Sequence, residues 1–108
     1  MYKDLSLSTV NIIKKEQILS CIDIASKYTF IKRMIIFGSS VTDNCTENSD
    51  IDICIDMDGS TIGLRTFYMD AELSKACNHN CDILIYNKIG GKIKDEIDNK
   101  GVIVYELS

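Results

Sequence analysis

The chain has 108 residues, 45% of them hydrophobic and 26% charged, enough for one compact core and too few for two. Its formal net charge of −4 argues against direct, nonspecific nucleic-acid binding, which needs a basic surface. Runs such as Met34–Phe37 and Val102–Tyr105 fall far short of the roughly 20 apolar residues that span a bilayer, and the N-terminus lacks the basic-then-apolar order of a signal peptide. A cytoplasmic protein without a membrane association is expected.

Residues 8–29 predict the first helix. Ser8 or Thr9 would cap it, and Ile18, Cys21, Ile22 and Ala25 repeat at i, i+3, i+4 and i+7. Arg33–Phe37 follows as a short buried strand, stopped by Gly38-Ser39-Ser40. After a polar, irregular stretch, Asp50–Asp56 alternates strictly. Ile51, Ile53 and Ile55 lie on one side and Asp50, Asp52, Cys54 and Asp56 on the other, the pattern of a half-buried strand.

Asp58-Gly59-Ser60 is a turn signal, and residues 62–77 read as a second helix with Met69, Leu73 and Ala76 inward. Asp82–Tyr86 is a third strand. Ile89, Ile93 and Ile97 at i, i+4 and i+8 predict a last helix capped by Gly101, and Val102–Tyr105 a strand at the sheet edge. The order α-β-β-α-β-α-β implies one α/β (α+β) domain over residues 1–108, a mixed sheet with helices packed on one face.

Five cysteines, with no C-x-x-C pair, read as reduced thiols, mostly buried. Cys77, His79 and Cys81 lack the fourth ligand and the spacing of common zinc sites.

Three features carry chemistry together. Gly38-Ser39 after a buried strand is a turn that by itself need only end the strand, but it also lets the backbone approach a ligand, and successive N–H groups there can cradle phosphate oxygens. Asp50 and Asp52 project from one face of a strand roughly 6 to 7 Å apart, where they can converge on a hard cation. A solvent-facing strand side would explain them too, and Asp56 fits that account, but aspartate is disfavoured in strands and needs a reason there. Asp82 opens another apolar strand. It would lie beside the pair if the two strands were neighbours, about 5 Å apart. Three aspartates so gathered repel unless cations neutralise them.

Gly38-Ser39, the ten residues Ser40–Ser49, and Asp50-Ile51-Asp52 match the Gly-Ser, ten residues, Asp-x-Asp pattern of the minimal nucleotidyltransferase domains in the polymerase-beta-like superfamily. Ile36-Phe37 before the glycine, Asn48-Ser49 before the first aspartate and Cys81–Leu84 around the third agree with it. The chain resembles that family over nearly its whole length. The resemblance implies nucleotidyl transfer from a triphosphate, usually ATP, to a hydroxyl. Gly38 and Ser39 would hold the triphosphate. Asp50, Asp52 and Asp82 would form the catalytic, metal-binding set for two Mg²⁺ ions, a role Mn²⁺ also suits.

Minimal members are typically encoded with small helical HEPN toxins, and the resemblance implies an antitoxin that modifies a tyrosine hydroxyl of such a partner. Where many members carry Ala-Arg-Gly after the Gly-Ser, this chain has Val41-Thr42-Asp43. Arg65 is a candidate to replace the lost cation. The alternative reading is a catalytically weak or inactive member of the fold that neutralises or scaffolds a partner by contact.

Overall fold

The structure, a computed structural model, describes residues 10–58 and 63–107. It places four strands, β1 (Ile31–Phe37), β2 (Ile51–Met57), β3 (Cys81–Ile85) and β4 (Val102–Glu106), in one mixed sheet of order β3-β2-β1-β4. β1 pairs antiparallel with both β2 and β4, whereas β2 and β3 run parallel. A parallel pair needs a long crossover, and α2 (Leu64–Ala76) supplies it. The small α+β fold expected from the sequence is present, with β4 at the edge as predicted.

The strict alternation of β2 divides the interior in two. Ile51, Ile53 and Ile55 join Met34 and Ile36 of β1 in the larger core, against Ile18, Cys21, Ile22 and Ala25 of α1 (Lys15–Ala25) and Met69 and Leu73 of α2. Cys54 turns the other way, into a smaller cluster with Ile35, Phe37 and Ile97. Ile97 belongs to α3 (Gly91–Lys100), so α1 and α2 share one face as expected while α3 covers the other. The reason lies in β1, whose side chains are apolar on both sides between Met34 and Phe37.

Element ends moved where capping decided them. The predicted caps Ser8 and Thr9 lie outside the described residues. A 3₁₀ turn, Ile12–Lys14, leads into α1, and the Asn11 side chain accepts a hydrogen bond from the Ile13 N–H at its start. The turn residues 59 and 60 and the start of the predicted second helix at Ile62 also lie outside the described residues. α2 ends through Asn78 and His79, both in the left-handed region at φ 54° and 61°.

The isoleucine stripe predicted for the last helix is only partly used. Ile97 is buried, Ile93 is 40% exposed, and Ile89 packs on the smaller cluster from the loop before α3. Gly101 ends α3 in an extended conformation, not a left-handed one. Its lack of a side chain serves close packing, because a Cβ there would fall 2.5 Å from Ile35 Cγ2 and from the Ile97 carbonyl oxygen. No helix among the described residues is long and apolar enough to cross a membrane.

Candidate active site

The site stands where β1 ends and β2 begins. Gly38 opens a 3₁₀ turn, Gly38–Val41, at φ 70°, a backbone conformation that L side chains rarely adopt. The second reason for glycine is spatial. A Cβ at this position would overlap the Asp52 carboxylate, so the missing side chain is the space that Asp52 Oδ2 uses.

Asp50 immediately precedes β2 and Asp52 is its second residue, opposite Phe37 of β1. On the other side, Asp52 stands in register with Asp82 of β3. The parallel pairing thus brings the third predicted carboxylate beside the first two. Asp50 and Asp82 are exposed and Asp52 is half-buried. Burial first, and then the negative charges of Asp82, Asp50 and Glu96, push the Asp52 carboxyl above the ordinary carboxylate range.

Glu96 was not singled out in the sequence. It precedes Ile97 on α3, and only the packing of α3 on the aspartate-bearing face brings it near Asp52. Nothing local distinguishes it from the other charges of Lys92–Lys100.

Among the described residues, no three His, Cys, Asp or Glu side chains stand close enough together to hold a metal ion as they are oriented. The donor chemistry nevertheless suits a hard divalent cation. It consists of carboxylate oxygens at one end of adjacent strands, with Asp52 lodged against Gly38 and its two partners free to turn at the surface. The Cys77, His79 and Cys81 group is no such site. Cys77 lies buried with its sulfur 3.4 Å from that of Cys21, and all five cysteines are free.

The segment joining the two halves of the site is tied down at several points. Thr42 closes the 3₁₀ turn by donating its N–H and its hydroxyl to the Ser39 carbonyl, each at 3.0 Å, and its hydroxyl accepts the Asn44 N–H. Asn80, just before β3, accepts the Ile51 N–H on its carbonyl and donates its side-chain amide to the Ser49 carbonyl at 3.2 Å. Arg65 does not replace the arginine of the family pattern. Its guanidinium stacks 5.6 Å from the centre of the Phe30 ring, at the end of β1 remote from Gly38.

Comparison with known proteins shows the family and the fold. The family model described as "Polymerase beta, Nucleotidyltransferase" matches residues 19–108. The chain belongs to this nucleotidyltransferase family. It is 35% identical over 74 residues to a protein of Methanocaldococcus jannaschii named "Putative protein adenylyltransferase", an overlap of 68% of this chain and 80% of that relative.

Among solved structures, a toxin–antitoxin complex with AMP-PNP contains a chain similar at a TM-score of 0.65 and 15% identity, covering 85% of this chain and 73% of the other. A mutant of the toxin–antitoxin MntA-HpeT gives 0.62 and 13%, covering 85% and 72%. A structure described as "a putative nucleotidyltransferase from Sulfolobus solfataricus" gives 0.51 and 21%, covering 87% and 86%. At these identities the structural likeness is one of fold. The family assignment rests on the sequence match.

Proposed function

We propose that this family member is a Mg²⁺-dependent enzyme that transfers AMP from ATP, or the corresponding group of another nucleoside triphosphate, to a tyrosine hydroxyl of a small helical HEPN toxin in the cytoplasm, and so acts as its antitoxin. The observation that carries this reading is the register of Asp52 with Asp82 beside a glycine whose Cβ would occupy the place of the Asp52 carboxylate. Like charges gathered in this way are costly unless something neutralises them.

In this reading Gly38 and Ser39 receive the triphosphate on the turn that ends β1, and Asp50, Asp52 and Asp82 hold the metal. Bound there, Mg²⁺ supplies positive charge to the phosphate oxygens. The acceptor oxygen forms its bond to the α-phosphorus in line with the departing pyrophosphate, and Asp82, exposed at the strand entry, takes the hydroxyl proton. Positioning and charge neutralisation carry most of the acceleration.

A protein acceptor is favoured by α2, where Leu64, Phe67 and Tyr68 are 64%, 66% and 53% exposed at i, i+3 and i+4. An apolar stripe facing water is the kind of surface that a partner covers. One observation favours the second reading, a module acting by contact alone. Thr42, at the arginine position of the pattern, spends its hydroxyl on closing the turn and offers phosphate no cation.

Incubating the chain with Mg²⁺, α-labelled ATP and the protein encoded beside it separates the two. Label on the partner that disappears with Asp52→Asn is the expected result. No label from the wild type, together with full inhibition of the partner by the Asp50→Asn, Asp52→Asn double variant, would replace the enzyme by the contact module.

A further inference from the structure

We infer that Lys14 is a positioning residue of this site, its buried ammonium holding the segment between Gly38-Ser39 and Asp50-Asp52 in place from beneath. The inference rests on the proposed nucleotide site and adds to it an element remote from the motif in sequence.

Lys14 is 3% exposed, an unusual fate for a lysine on a small domain. Its Nζ donates to the Glu47 carbonyl at 3.0 Å, and among the described residues no carboxylate forms an ion pair with it. Withdrawing an ammonium from water is expensive, so its burial against one loop carbonyl makes that charge-assisted bond difficult to give up.

The same short segment grips the other half of the loop. The Asn11 N–H donates to the Ser40 carbonyl at 2.7 Å, and the Asn11 side-chain amide donates to the Thr42 carbonyl at 2.9 Å. Asn11 also accepts the Ile13 N–H, which fixes the 3₁₀ turn that presents Lys14. Residues 11–14 therefore act as a splint across the loop. Asn11 holds the turn that begins at Gly38, Lys14 holds the stretch that leads to Asp50, and together they brace the loop between the triphosphate turn and the carboxylates, whose strands the β1–β2 pairing fixes. Ser40 is completely buried, and among the described residues its Oγ has no partner to hold that turn. Its backbone is held by Asn11 instead.

The test uses the full chain with Lys14→Met, which keeps length and apolar bulk, Lys14→Arg, which restores a cationic donor, and Asn11→Ala as a second route should Lys14→Met fail to fold. Two readouts are taken, amide exchange over residues 42–50 and Mg²⁺-dependent binding of a fluorescent ATP analogue. Lys14→Met should speed exchange at least tenfold in residues 42–50, leave β1 and α2 at wild-type rates, and weaken nucleotide binding about tenfold, with Lys14→Arg recovering both. Where transfer is measurable, KM for ATP should rise more than kcat falls.

Uniform loss of protection across the chain, or unchanged exchange in residues 42–50, would overturn the positioning role. If the wild type binds no nucleotide, the proposed function fails on that result, and the exchange pattern alone decides whether Lys14 holds the loop.

Discussion

The two ends of β2 carry aspartates on the same face, and they meet opposite fates. Asp56 lies opposite Arg33 in the β1 register and binds it at 2.8 Å, with side chains 16% and 27% exposed. The Tyr86 ring covers that guanidinium at 5.2 Å from its centre, and the Tyr86 hydroxyl donates to Asp98. Asp52, four residues earlier, faces Asp82, Asp50 and Glu96, and among the described residues no basic side chain pairs with it. One end is a closed ion pair that fastens the sheet. The other is an uncompensated negative field, which structure alone does not reward and a cationic ligand would.

The sharpest way to break this contrast is to neutralise both aspartates in turn. Asp52→Asn should reduce nucleotidyl transfer by on the order of 10²–10³-fold, the range for losing one charge-stabilising group, while thermal stability without divalent ions stays equal or rises. Asp56→Asn should do the reverse, leaving transfer within about twofold and costing about 2 kcal/mol by chemical denaturation, because the half-buried Arg33 loses its partner.

Gly38→Ala comes next. The added methyl must displace the Asp52 carboxylate and strain a turn at φ 70°, so transfer should fall by about 10²-fold with a smaller loss of stability of about 1–2 kcal/mol. Kinetics beside a denaturation curve will show the ratio.

The pH dependence is subtler. A carboxyl whose folded pKa is raised binds its proton more readily when native, so the folded state is penalised at neutral pH and relieved as pH falls through that raised value. Without divalent ions, the stability advantage of Asp52→Asn over wild type should therefore be largest near neutrality and shrink on acidification. Millimolar Mg²⁺ should shrink it at neutral pH as well. The smallest effect is expected of Tyr86→Phe, which removes the bond to Asp98 and keeps the ring under Arg33, leaving Tm within about 2 °C of wild type.

Much of this is legible in the sequence. The alternation of Ile51 to Asp56 placed Asp52 on the face opposite the main core, and Gly38-Ser39 after an apolar run marked the turn. What alternation could not tell is which aspartate has a cation, because Arg33 reaches Asp56 only through the antiparallel register of β1. Glu96 required the side of the sheet that α3 would take, a choice made by Ile97 against Ile35, Phe37 and Cys54. Lys14 and Asn11 were hidden for another reason. Their partners are backbone carbonyls of Glu47, Ser40 and Thr42, and a carbonyl leaves no signature in residue type.

The parallel pairing of Asp52 with Asp82 also bears on how the chain folds. The two residues are joined through the whole α2 crossover, so this pair closes late, after a long loop has been ordered. When β3 docks on β2 it must bring one carboxylate beside another, a barrier to the docking of that edge strand. A divalent cation, by relieving that repulsion, would act as a folding catalyst for the strand pair proposed to hold it.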